Sequence, residues 1–263
     1  LFTGGRAISE NLQLDRVLPA AGHGDETVAV DSIEGITVRE IDWKRHIKGK
    51  HPKLDPLASR VPADQHVVFF PTFKSALAMS DESKEAGELI FQMAEPHSVD
   101  GRVPARYQKQ MCLTVTTVAR LLGPQVARSV ALSGSDPYFP TGTDVAVLFE
   151  APDPAVLEQM VMAQVTMKAQ KFPDAKPIRG EVAGLAFRGY RSADRSVCCY
   201  VARMKGLVVV TNSPYQLQRL VGVAKGESPS IATLDEYVFF RDRYPLGDER
   251  ETAFLFLSDA TIR

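Results

Sequence analysis

The chain has 263 residues, 44% hydrophobic and 24% charged, values near globular averages that argue against disorder or a coiled coil and allow a substantial core. With 31 basic and 32 acidic residues the formal net charge is −1, so the basic excess expected of a nucleic-acid binder is missing. No apolar run approaches the roughly 18 residues of a membrane span.

Residues 1–60 read as an N-terminal arm, punctuated by Gly4-Gly5, Gly22-His-Gly-Asp25 and His51-Pro52. The alternation in Ile36-Thr-Val-Arg-Glu-Ile41 predicts one strand there, a second is possible, and Trp43 is expected to pack onto the body. A short helix is possible over 54–59.

The body, residues 61–263, opens at Val61-Pro-Ala-Asp64. His66-Val-Val-Phe-Phe70 predicts a strand, and His66 at its start reads as a half-buried edge residue. A helix is predicted over 74–94, with an apolar face that includes Leu77, Leu89, Ile90 and Met93. A linker runs through Pro104. A helix over 116–122 should stop at Gly123-Pro124, because glycine accepts the left-handed conformation and proline cannot continue the ladder. Strands at 126–133 and 144–150 then form a hairpin across a long polar loop.

Two strand-Pro-helix units, 145–171 and 207–225, match when overlaid: Pro154 on Pro214, Leu157 on Leu217 and Met160 on Leu220. Asp153 caps the first helix, with Pro154 at its first position, where a missing N–H costs nothing. Ser213-Pro-Tyr-Gln216 and Thr233-Leu-Asp-Glu236 read as capping boxes at two later helix starts. Between the units lie strands at 181–190 and 196–203, and a strand at 252–257 follows the last helix. Short turns between neighbouring strands argue for antiparallel pairing. The expectation is an α+β fold: a mixed, mainly antiparallel sheet with helices on one face.

Candidate chemistry is sparse. Asp136 and Asp144, in and beside the loop 133–143, could be an acid/base pair or metal ligands, but Pro137-Tyr-Phe-Pro140 breaks any calcium-loop spacing. A turn-rich hairpin loop is the simpler reading. No nucleophile elbow or phosphate-binding glycine loop is present. The five histidines, His23, His46, His51, His66 and His97, all lie in the first 97 residues and follow no metal-ligand spacing. Cys112, Cys198 and Cys199 match no zinc pattern and read as small buried hydrophobes, their redox state open; the adjacent pair should face opposite sides of a strand. The basic run Lys44-Arg-His-Ile-Lys-Gly-Lys-His-Pro-Lys53 reads as a solvated loop. Accordingly no catalytic, cofactor-binding or metal-binding residue is assigned, and no cofactor is expected.

Val61-Pro-Ala-Asp64, Leu122-Gly-Pro124, the strand-Asn-Ser-Pro-helix unit over 210–216 and the late helix before a Phe-Leu-Phe-Leu strand together resemble large uncharacterised bacterial proteins of planctomycete type. They are similar to an extracytoplasmic "domain of unknown function" family with a Leu-Pro-Ala-Asp start. The resemblance spans about residues 61–263. It implies an extracytoplasmic location behind an N-terminal anchor, and no catalytic residues. Opening on Leu1 and stopping at Arg263, just after an apolar run, the chain reads as a fragment of something longer. The expected function is therefore a non-enzymatic extracytoplasmic binding or scaffolding module, with a protein or cell-envelope partner. Nucleic acid is not expected, and membrane contact only through an anchor outside the chain. The alternatives are a hydrolase-type enzyme completed beyond residue 263 and a carrier of an apolar ligand.

Overall fold

In the central strands β6 (Cys198–Met204) and β7 (Leu207–Thr211), two runs of five consecutive positions, 198–202 and 207–211, are buried. Strand side chains alternate sides, so such strands need cover on both faces. The computed structural model, which describes residues 41–85, 103–114, 116–137, 139, 142–249 and 251–262, meets that need with helices above and below one sheet.

The fold is α+β. Its eight strands run in the order β4-β5-β6-β7-β3-β2-β1-β8, every neighbour antiparallel. The remaining strands are β1 (His66–Phe70), β2 (Val130–Gly134), β3 (Val145–Glu150), β4 (Lys176–Val182), β5 (Leu185–Arg191) and β8 (Phe254–Phe256). The helices among the described residues are α1 (Trp43–Ile47), α2 (Phe73–Glu85), α3 (Val103–Gln110), α4 (Thr117–Val126), α5 (Pro154–Ala169), α6 (Pro214–Ala224), α7 (Asp235–Arg243) and α8 (Asp259–Ile262).

The expected one-sided packing does not hold. Leu217 and Leu220 of α6 and Tyr237 of α7 join Tyr200, Ala202, Leu207 and Val209 in one core. Leu157, Val161, Val165 and Ala169 of α5 join Cys199, Val201, Val208 and Val210 in the other. The two strand-Pro-helix units therefore send their helices to opposite faces, although β3 and β7 pair directly. A two-fold axis between antiparallel neighbours would keep both helices on one side. The units share a local strand-to-helix motif and are not symmetry mates.

One row of residues crosses all eight strands on the α5 side: Arg179, Arg188, Val201, Val210, Val147, Leu132, Val68, Leu255. It begins with two arginines at the β4 edge, passes through fully buried valines, and ends on Leu255, which is 61% exposed.

Three local expectations change. Gly123-Pro124 does not stop a helix: α4 continues to Val126, with Pro124 inside it and Ala127 N–H donating to Gly123 O. A Cβ on Gly123 would sit 2.2 Å from Phe73 Cε1, so this glycine serves close packing. Neither capping box forms. Ser213 makes no side-chain cap bond, Thr233 Oγ1 donates to Ser230 O, and Glu236 accepts from Asp259 N–H. Asp153 does cap α5, accepting from the N–H groups of Ala155 and Val156. Finally, the strand predicted over 181–190 is a hairpin. Ala183 and Gly184 both take positive φ, +51° and +85°, as a tight two-residue turn requires.

Trp43 packs on Phe239 and Phe240 of α7, as expected, at centroid distances of 5.1 and 5.6 Å. The basic run joins that contact: it supplies α1, and Lys50 pairs with Asp242. The linker expected through Pro104 ends earlier, because Pro104 lies in the first turn of α3. Nearly all of the strand predicted over 36–41, and the second half of the helix predicted over 74–94, lie outside the described residues.

The arm is held by a buried ion pair. Arg241, 0% exposed, donates from Nε and Nη2 to the two oxygens of Asp55 at 2.6 and 2.7 Å, and from Nη1 to Glu251 at 2.8 Å. Its guanidinium lies 3.9 Å from the Phe254 ring centroid, and Tyr237 OH donates to Asp55. Burial opposes the charge of Arg241, but Asp55 and Glu251 outweigh it and hold the group above its ordinary pKa. Removing one member strands a buried charge. Arg241→Ala should therefore lower unfolding free energy by about 3–5 kcal/mol, against ~1 kcal/mol for Asp153→Ala. Urea denaturation midpoints compare the two.

Candidate functional site

The loop between β2 and β3 folds over the end of the sheet where β1 begins. Asp144 is its hub: Oδ1 accepts from Ser135 N–H at 3.3 Å, from Ser135 Oγ, and from Thr143 Oγ1 at 3.3 Å. Thr143 Oγ1 in turn accepts from Asp136 N–H. From α3, Tyr107 OH donates to Phe139 O at 3.1 Å and accepts from Thr143 N–H at 3.0 Å, while Arg106 donates to the same Phe139 carbonyl. Asn212, just after β7, accepts from Val145 N–H at 2.8 Å and donates to Thr143 O at 2.9 Å. Two distant pieces of chain, α3 and the end of β7, thus pin a loop that also bonds to itself.

His66 lies inside this arrangement, and its expected place as a half-buried edge residue is corrected. β8 covers the outer side of β1, and the loop closes over the ring, leaving His66 3% exposed. The Phe139 ring stands edge-on at 5.3 Å. A Cβ on Gly134 would meet His66 Cε1 at 2.9 Å and Asp144 O at 2.5 Å, so only glycine lets the imidazole lie on that backbone. Neither ring nitrogen, nor the buried Asp144 Oδ2, has a hydrogen-bond partner among the described residues. Burial lowers the His66 pKa below 6.5, and Asp144 and Asp136 pull it partly back.

The structure thus gathers the two aspartates singled out in the sequence around a histidine that sequence reasoning placed elsewhere. They are electrostatic company. A proton relay needs a hydrogen bond from base to orienting carboxylate, and neither ring nitrogen of His66 makes one among the described residues. Among the described residues no group of three or more His, Cys, Asp or Glu side chains could hold a metal ion.

On the sheet's other face a second polar cluster is fully satisfied. Gln65 and Gln216, both 0% exposed, exchange side-chain amide hydrogen bonds at 2.7 and 2.8 Å, and Ser133 Oγ donates to Gln65 Oε1 at 2.9 Å. Gln216, read as a capping residue, instead ties α6 to the start of β1. The cysteines are buried free thiols; Cys198 and Cys199 do face opposite cores, and burial pushes Cys112 up to about 11. At that value Cys112 is a poor nucleophile.

Two surface depressions lie apart from the loop. One, of about 350 Å³, is bordered by Val223, Gly226, Ser228 and Thr233; the other, of about 500 Å³, by Asp174, Lys176, Ile178, Arg191 and Asp194. No family model, curated protein or solved structure matches the chain.

A neutral, buried His66 has a definite pH signature. Because its folded pKa lies below its unfolded value, the unfolded chain takes up a proton first as pH falls below 6.5. Stability is fully present above pH 6.5, declines below it, and levels off once pH is beneath the folded pKa. His66→Phe removes this component, so wild-type and variant Tm curves should converge in slope above pH 6.5 and diverge below it.

Proposed function

We propose that the chain is a non-enzymatic binding or scaffolding module of a larger bacterial protein working outside the cytoplasm. The observation that carries this reading is the β8 edge. Sheet edges are templates for pairing, and proteins ordinarily blunt them with charge, proline or cover. Phe254-Leu-Phe256 has none of these on its strand residues, Leu255 is 61% exposed and Leu257 37%, and half-buried Val68, Leu132 and Val147 continue the apolar row inward. An apolar step of this kind, beside an edge with no partner strand among the described residues, supports a contact surface there. The extracytoplasmic part is supported by the sequence resemblance alone.

The test is site-specific photocrosslinking in the full-length protein in its own host. A crosslinker at position 255 should yield one discrete adduct, reduced at least fivefold by Leu257→Glu, while the same group at exposed Lys205 yields none. Equal labelling at 255 and 205 would remove the reading. Location is tested separately, by fusing the full gene product to a reporter that matures only outside the cytoplasm.

A further inference from the structure

The opposite edge has a different chemistry. Along β4 and β5, residues 176–191, four basic side chains stand against one acidic, although the whole chain is at −1. The basic groups oppose each other directly across the strand pair: Lys176 faces Arg191, and Arg179 faces Arg188. Like charges at opposed positions destabilise a sheet, so their placement asks for a counter-charge. Within the fold, Asp174 and Asp194 border the same depression as Lys176 and Arg191, and Glu158 of α5 supplies a counter-charge on the other face. It pairs with Arg188 at 3.1 Å and Arg203 at 3.5 Å. Among the described residues Arg179 has no carboxylate partner, and Glu181, on the same face, stands opposite Ala186.

The second face of this edge carries the Lys176–Arg191 pair at one end and is apolar beyond it. Ile178, Val182, Leu185 and Phe187 are half-buried against the α6-side core, and Phe187 fills the space over Gly180, where a Cβ would lie 2.8 Å from its Cζ. β4, seven residues long, is the terminal strand among the described residues, and none of those residues pairs with its outer side as a strand. Any strand laid there would alternate its side chains between an arginine face and an apolar face. Lys176 and Arg179 would repel basic partners while attracting acidic ones, which makes the edge selective.

We propose that β4 is the docking edge for an extended acidic segment of a partner protein, one that alternates acidic and apolar residues and adds to the sheet beside Arg179. This deepens the binding-module reading and rests on it, but uses the edge farthest from Leu255, so the two can fail separately. The acidic side chains meet Arg179, and the apolar ones meet Ile178 and Val182. Main-chain hydrogen bonding supplies affinity, and the arginines supply sign and register.

The probe is a fluorescein-labelled eight-residue peptide alternating glutamate with valine and threonine, and the readout is anisotropy. The acidic peptide should bind at least tenfold more tightly than its lysine counterpart, weaken with added salt, and weaken at least tenfold with Arg179→Glu. That side chain is exposed and makes no ion pair among the described residues, so the variant should keep the wild-type circular dichroism spectrum. Amide hydrogen exchange should slow along residues 176–182 and not along 254–256. Equal affinity for the lysine peptide, indifference to Arg179→Glu, or binding without protection of β4 would each overturn the proposal. Because this readout is confined to β4, a failed crosslink at position 255 leaves it standing.

Discussion

The contact between Asp55 and Arg241 joins parts of the chain 186 residues apart. A planar guanidinium meets a carboxylate with two parallel bonds, out of water, and a phenol and an aromatic face occupy the remaining directions. Such a pair is a poor source of net stability, since desolvation consumes most of its attraction. Its value is geometric: one arrangement satisfies all the groups. It holds the segment before β1 against α7, and through Glu251 it holds the approach to β8. The Trp43 contact with Phe239 and Phe240 depends on the same placement of α7. Without it, the outer strand beside β1 and the arm would each have to find their seats by weaker, less directional packing.

Two polar clusters at the start of β1 show opposite solutions to burial. Gln65, Gln216 and Ser133 bond one another on the α6 side, so burial there is compatible with a single rigid geometry. On the α5 side the imidazole of His66 is simply enclosed, neutral, beneath a loop held by Asp144, Tyr107 and Asn212. The first cluster specifies structure. The second places a titratable ring beneath one loop.

Much of the element sequence could be read from apolar runs and their punctuation. Leu207-Val-Val-Val-Thr211 is a buried strand because every position is apolar or small, and the Asp153-Pro154 cap acts as its chemistry dictates. The errors came where one residue type serves two purposes. Gly123 was read as a helix terminator, yet its missing Cβ makes room for Phe73. Gln216 could reach back to a helix start, but its better partner, Gln65, is 151 residues distant, beyond any local pattern. The turn at Ala183-Gly184 was masked by an alanine with φ of +51°, a conformation that alanine seldom takes. An alanine in that place leaves β4, and with it the basic edge, without a local turn signal. Asp136 and Asp144 were visible as candidates, whereas the burial of His66 depends on β8 and on the loop and left no local trace.

Strand order also sets a timetable. β4 to β7 form a meander whose neighbours are joined by short turns, so this half of the sheet can assemble from nearby contacts. β1 has no such neighbour on its outer side: Val67 pairs with Phe256, and the two lie near opposite ends of the described chain. On a ribosome, β1, β2 and β3 emerge first, with the β3 flank awaiting β7 and the β1 flank awaiting β8. The nascent sheet thus carries two unsatisfied apolar borders from the end of β3 until β7 arrives, and one from then until β8, the setting in which strand-rich chains aggregate or recruit chaperones. For this molecule the hazard in making the protein lies in the interval before residues 254–256 arrive.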